Sequence, residues 1–218
     1  MRLIDTHSHL FLEEFSEDFP QVIERARAAG VTHIFMPNID STTIEAMLSA
    51  CSVYKGYCFP MIGLHPTSVN ANYEKELEIV ARELKFSKEY VAIGEIGMDL
   101  YWDKTYLKEQ QIVLDKQVNW ALEYDLPIVI HCRDAFDYIY KVLEPYKKTP
   151  LRGIFHSFTG TAEEATRVLE FSDFFIGING VVTFKKSHLP EILAGIPLEK
   201  IVLETDSPYL TPVPNRGK

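Results

Sequence analysis

No apolar run in this 218-residue chain approaches the roughly 18 residues that a membrane-spanning helix needs. Cysteine is scarce. Cys51, Cys58 and Cys132 are an odd, small set that suits a reducing compartment rather than a disulfide scaffold. The opening Met1-Arg2-Leu3-Ile4-Asp5-Thr6-His7 turns charged and polar too early for a signal peptide, and the C-terminus carries no prenylation Cys. These absences predict a cytoplasmic protein without a membrane partner. Positive charge is also short: 22 Lys and Arg stand against 31 Asp and Glu, a net of −9. A protein that coats nucleic acid electrostatically carries clustered Lys and Arg. Here the basic doublets are short: Lys147-Lys148, Lys185-Lys186, and Arg216 near Lys218. A stable nucleic-acid complex is therefore not expected. An enzyme that acts on nucleic acid stays open, because bound metal ions add local positive charge that side-chain counting omits.

Internal repeats, low-complexity tracts and linkers are missing too, so one domain over residues 1–218 is expected. Its 46% hydrophobic and 24% charged residues exclude a disordered or collagen-like chain. Short apolar runs alternate with helical patterns throughout. Strands are predicted at 3–4, 32–36, 59–64, 91–95, 128–131, 153–156, 174–178 and 201–204. Helices are predicted at about 19–29, from a cap at Ser41 to about 54, at 74–86, 106–124 and 136–146, after a Thr161–Glu164 capping box, and at 189–194.

Continuously apolar short strands alternating with helices indicate a parallel sheet covered by helices. Eight such units indicate an α/β protein with a (β/α)₈ TIM barrel. A doubly wound open sheet is the alternative, but the first strand–helix turn has no Gly-rich phosphate-binding fingerprint to support it. Only seven helical patterns accompany the eight strands. The final C-terminal helix has no candidate, and the expectation is that this chain is a truncated version of a longer protein.

The chemically capable residues sit where these strands end, the end that holds the active site of such barrels. His7 and His9 share one face of the first strand, because side chains repeat with period two. Two imidazoles on one face suit a transition metal, although a lone H-x-H also fits hydrogen-bonding histidines. Glu95, His131, His156, Glu204 and Asp206 follow at the ends of strands four, five, six and eight. Each alone reads as a satisfied polar group of the core. Together they supply four imidazoles and several carboxylates, enough for two metals, and a carboxylate can bridge two such ions. His65 ends strand three and is either a phosphate donor or proton carrier, or a capping histidine. Arg133 suits phosphate through its paired donors; an ion pair with Asp134 or Asp137 is the alternative. Tyr101 and Trp102 are expected to pack their loop, with stacking on a base as the alternative. His33 and His188 are expected to be structural, Cys132 and Phe174-Phe175 to pack.

Six blocks taken in order resemble the TatD family of metal-dependent deoxyribonucleases. They are Asp5-Thr6-His7-Ser8-His9-Leu10, Ile62-Gly63-Leu64-His65-Pro66, Gly94-Glu95-Ile96-Gly97-Met98-Asp99, His131-Cys132-Arg133-Asp134-Ala135, Phe155-His156-Ser157-Phe158-Thr159-Gly160 and Leu203-Glu204-Thr205-Asp206-Ser207-Pro208-Tyr209-Leu210. The resemblance implies a barrel hydrolase of the amidohydrolase-like type that cleaves DNA phosphodiesters, DNA being a transient substrate. It implies two divalent metal ions (Mg, Mn, Zn or Ni), with His7, His9 and Asp206 on one, His131 and His156 on the other, and Glu95 bridging. It places His65, Arg133 and Glu204 near the substrate phosphate, with Asp206 or Glu204 accepting the proton of a metal-activated water. Family members usually continue past Thr211-Pro212-Val213-Pro214 with more helix, and this chain does not. The competing expectations are a cyclic amide, lactone or organophosphate hydrolase on the same barrel, and a catalytically weak metal-binding protein. Glu95, where those other hydrolases often carry a carboxylated Lys, favours the nuclease branch.

Overall fold

The computed structural model describes residues 1–216. Strands and helices alternate along them: β1 (Leu3–Asp5), α1 (Phe19–Ala28), β2 (Val31–Pro37), α2 (Ile44–Val53), β3 (Cys58–Met61), α3 (Tyr73–Phe86), β4 (Ile93–Asp99), α4 (Leu107–Glu123), β5 (Ile128–Arg133), α5 (Phe136–Leu143), β6 (Gly153–Phe155), α6 (Ala162–Val168), β7 (Phe174–Ile178), α7 (Leu189–Leu193) and β8 (Ile201–Leu203). All strand pairs are parallel, with β1–β2–β3 in one ladder and β4 through β8 in another.

Two seams close the ladders into a (β/α)₈ TIM barrel. Between β3 and β4, Ile62 N donates to Ala92 O (3.1 Å) and Gly94 N to Ile62 O (2.9 Å). Between β8 and β1, Thr6 N donates to Leu203 O (3.1 Å), Asp206 N to His7 O (2.9 Å) and His9 N to Ser207 O (2.8 Å). Thr205 adds two bonds to the buried Asp5 carboxylate, from its N (2.9 Å) and its Oγ1 (2.6 Å). The β8–β1 seam thus runs directly beneath His7, His9 and Asp206.

Apolar periodicity explains the layers. Leu77, Val80 and Leu84 form the buried stripe of α3, and Phe136, Ile139, Tyr140 and Leu143 that of α5. All seven residues of β4 are buried, as a strand between barrel interior and helices requires. Thr161 and Glu164 form the expected capping box of α6. Ser41 does not cap α2. Thr43 holds that position, while Ser41 N and Oγ both donate to Glu76 (2.9 Å each), tying this loop to α3. The helix expected at 136–146 ends at Leu143, and a 3₁₀ turn carries Pro145.

Seven α-helices occur among the described residues, and none follows β8. The outer faces of the last and first strands are accordingly open, with Ile4 47% and Leu203 55% exposed. No helix is long and apolar enough to cross a membrane.

Candidate metal centre

The strand ends named above meet at one end of the barrel around a cavity of about 680 Å³. His9, His65, Glu95, His131, Arg133 and Asp206 line it. His7 lies fully buried beneath them. Left-handed backbone at Ser157 (φ 47°) and Asp206 (φ 58°) turns the chain sharply just after β6 and β8. Such conformations persist only where surrounding contacts fix them, here the Asp206 N bond to His7 O.

Glu95 is the centre of the cluster. Its Oε2 lies 3.1 Å from His7 Nε2 and 3.7 Å from His9 Nε2. Its Oε1 lies 2.9 Å from His131 Nδ1, 3.4 Å from His65 Nε2 and 3.8 Å from His156 Nε2. Asp206 Oδ1 stands 3.5 to 3.8 Å from the Nε2 atoms of His156, His9 and His7. Two ligands of one tetrahedral ion, each at 2.0–2.2 Å, stand about 3.3–3.6 Å apart, so these separations match ions held among the groups. Three ligand sets lie each within 4.8 Å: His7, His156 and Asp206; His7, His9 and Glu95; and His65, Glu95 and His131. His156 therefore groups with His7 and Asp206, and the third set brings His65 beside His131.

The unpaired atoms argue for cations as well. His7 Nε2 and His9 Nε2 face each other at 3.2 Å, so a proton or a metal must lie between or beside them. The buried Nδ1 atoms of both rings have no hydrogen-bond partner among the described residues. Without a metal the charges redistribute. Burial opposes ionisation of Glu95, yet His7, His65 and His156 outweigh it and hold the carboxyl well below its usual range. Asp206 is lowered in the same way, burial being outweighed by bonds to His156 and His9. Burial would lower His131, but hydrogen bonds to Asp99 and Glu95 push it up to about 9. His156 is likewise raised, by Glu204 and Glu95 against burial. His7 goes down through burial and the neighbouring His156, whose ring stacks on it at 3.4 Å. A buried cluster that keeps its carboxylates ionised and must protonate imidazoles to do so has the donor set of a divalent-metal site.

Around these groups stand residues that orient them. Asp99, at the end of β4, accepts from His131 Nε2 (2.9 Å) through Oδ2 and from Tyr101 N (3.0 Å) through Oδ1. The sequence reading passed over it because β4 was expected to end at Glu95. The strand runs four residues further, and period two puts Glu95, Gly97 and Asp99 on one face. Gly97 is required there: a Cβ would meet His131 O at 2.0 Å. Glu204 lies behind His156, with Oε2 3.0 Å from Nδ1 in a contact not aligned as a hydrogen bond. Its Oε1 accepts from Ser157 N (2.5 Å). Gly177 makes the room, since a Cβ would lie 2.6 Å from Glu204 Oε2. Asp206 therefore faces the cavity, and Glu204 backs a histidine.

Two buried glutamines of α4, also missed, pin the strand ends. Gln110 bonds Asp99 N and O (2.9 and 3.2 Å), and Gln117 bonds Leu64 N and O (2.7 and 3.2 Å). Seven residues apart on one helix face, they sit within the apolar stripe of Val113, Leu114, Val118 and Ala121. Polar residues at core positions were the signal.

His65 takes the capping place among its alternatives while its other nitrogen lines the cavity. Its Nδ1 accepts from Thr67 N (3.2 Å), capping a 3₁₀ turn. A neutral imidazole that accepts at Nδ1 carries its proton on Nε2. In that tautomer Nε2 presents a donor to the cavity, 3.4 Å from Glu95 Oε1. Burial lowers its pKa and keeps it neutral. Arg133 makes no ion pair among the described residues: Asp137 is taken by Arg167 (2.7 Å). Its guanidinium instead lies 3.8 Å over the Tyr101 ring. His33 bonds Thr32 Oγ1 (2.9 Å) and stacks on Phe59, and His188 is exposed beside Glu191, both away from the cavity.

Residues 4–218 match the sequence profile of the TatD-related DNase family. The chain is 38% identical to the metal-dependent hydrolase YabD of Bacillus subtilis, over 99% of this chain and 84% of that protein. It is 32% identical to the 3′-5′ ssDNA/RNA exonuclease TatD of Pantoea ananatis, covering 96% and 81% of the two. The crystal structure of YjjV, a TatD homologue from Escherichia coli K12, superimposes with a TM-score of 0.92 at 30% identity, over 100% of this chain and 83% of that one.

Proposed function

The chain belongs to the TatD family of metal-dependent hydrolases, and on that footing we propose that it is a deoxyribonuclease that removes nucleotides from strand ends. The observation that carries this reading is the apposition, across one cavity, of a buried His–carboxylate cluster and an arginine that has no ion pair among the described residues. The relative named a 3′-5′ ssDNA/RNA exonuclease supports it. The ligands assigned are His7, His9, Glu95, His131, His156 and Asp206, for two divalent ions. Bound there, the ions supply Lewis-acid polarisation of the phosphate and a water acidic enough to ionise near neutral pH.

The protein groups divide the remaining work. Arg133 offsets charge on the non-bridging oxygens as the phosphorus becomes five-coordinate. Asp206, on the cavity wall, accepts the proton of the attacking water. His65 Nε2–H, on a neutral ring, gives a hydrogen bond to the phosphate or to the leaving oxygen and keeps its proton. Asp99 and Glu204 hold His131 and His156 in orientation, the usual service of a carboxylate behind a ligating imidazole. DNA is a transient substrate in this account, since a chain of net charge −9 offers few other phosphate contacts.

The test compares 3′-labelled and 5′-labelled single strands with a panel of cyclic amides, lactones and phosphotriesters, across Mg²⁺, Mn²⁺, Zn²⁺ and Ni²⁺. Stepwise loss of mononucleotides from one end is expected. Turnover of the amide or lactone panel far above that of DNA would overturn the reading.

A further inference from the structure

Trp102 is 73% exposed, yet it lines the cavity that holds the metal cluster. An indole that only packed its loop would be covered. Large exposed aromatics beside a cavity are instead contact surface. Its support is already built. The Tyr101 and Trp102 rings meet perpendicular to each other, at 4.9 Å and 90°, so Tyr101 steadies the indole without lying flat on it. The Arg133 guanidinium lies over Tyr101 at 3.8 Å and 5.3 Å from the Trp102 ring centre. Asp99 holds Tyr101 N and His131 with its two oxygens, so the rim and the cluster share one carboxylate.

We propose that Trp102 is a specificity-determining residue that stacks on a nucleobase next to the phosphate gripped by Arg133. The proposal rests on the phosphodiesterase reading above and adds the feature by which the site senses a base. A nucleotide end presents an anion and a flat π-face separated by one sugar. Arg133 and Trp102 present a cation and a flat π-face side by side, the guanidinium carbon 5.3 Å from the indole centre. Stacking is tolerant of base identity, because every base has such a face. It therefore favours a base-bearing end over a bare sugar–phosphate end without demanding a sequence. Because Tyr101, Arg133 and Asp99 hold the platform beforehand, little ordering cost falls on binding.

The test uses metal-loaded wild type, Trp102→Ala and Trp102→Phe. Each is assayed on single strands with ordinary ends and on strands whose terminal residues are abasic. Wild type is expected to favour ordinary ends by about tenfold in kcat/KM, chiefly through KM, the scale of one base–aromatic stack. Trp102→Ala should lose that preference while matching wild type on abasic ends, and Trp102→Phe should keep much of it. Equal wild-type rates on both ends overturn the proposal. So does an equal slowing of both substrates by Trp102→Ala, which marks a merely structural loop residue. Failure of wild type to cleave either strand overturns the phosphodiesterase reading itself, and this proposal with it.

Discussion

Asp99 sets how His131 meets an ion. Its carboxylate accepts a hydrogen bond from Nε2 and leaves Nδ1 towards Glu95. Asp99→Asn should weaken metal binding by about 10- to 100-fold, the usual effect of losing the carboxylate behind a ligating histidine; isothermal titration measures it. The same pair gives a pH dependence with a definite sign. In metal-free protein His131 carries a proton until about pH 9, above its ordinary 6.5. An ion must displace that proton. Metal affinity should therefore climb with pH up to about 9, after which this group adds no slope, and uptake near pH 7.5 should release protons, that of His131 among them, detectable by indicator dye. Asp99→Asn should shrink that release, and an unchanged release would count against the assignment. At this scale the sequence was legible wherever a chemical type repeated at strand ends: His7, His9, Glu95, His131, His156 and Asp206 all face one cluster. Asp99 was not legible, because its meaning depends on how far β4 continues. Nor was the division of labour between Glu204 and Asp206, which rests on the turn at Asp206 (φ 58°) and on the space left by Gly177.

Among the elements, α4 is the brace of the site. Through Gln117 it holds the backbone of Leu64, and so the start of the turn that His65 caps; through Gln110 it holds Asp99. Gln117→Leu keeps the apolar surroundings and removes both bonds, leaving a buried N–H and C=O unpaired. Stability should fall by about 2–4 kcal/mol in urea unfolding, since each such group costs about 1–3 kcal/mol. A loss below half a kcal/mol would show that water or a shifted strand end replaces the bonds. The alternation of strands and helices was readable from apolar runs because parallel strands covered on both faces leave an unbroken hydrophobic signature. The loop ends were less so. Ser41 looked like a cap by residue type, but Glu76 of α3 claims both its N and its Oγ, a tertiary contact that local sequence does not encode.

For the whole molecule, net charge and metal centre answer different questions. A chain with 31 acidic against 22 basic residues is not built to hold a polyanion along its length, so the proposed function concentrates substrate attraction at Arg133 and the ions. The logarithm of kcat/KM on single-stranded DNA should then fall only gently with the logarithm of salt. A slope of about −1 fits one or two phosphate contacts at about −0.7 each, and a slope steeper than about −4 would reveal an extended track. The barrel closes at the Asp5–Thr205 seam directly under His7 and His9, which is why eight short strands suffice to place ligands from β1 and β8 side by side. Glu95 is, among the described residues, the one carboxylate in reach of five histidines. The decisive measurement is therefore hydrolysis of end-labelled single-stranded DNA by wild type and Glu95→Ala, each with added Mg²⁺ or Mn²⁺ and after chelation. The account predicts metal-restorable activity in wild type and a loss on the order of 10³-fold in Glu95→Ala. Hydrolysis that survives both chelation and Glu95→Ala would contradict it.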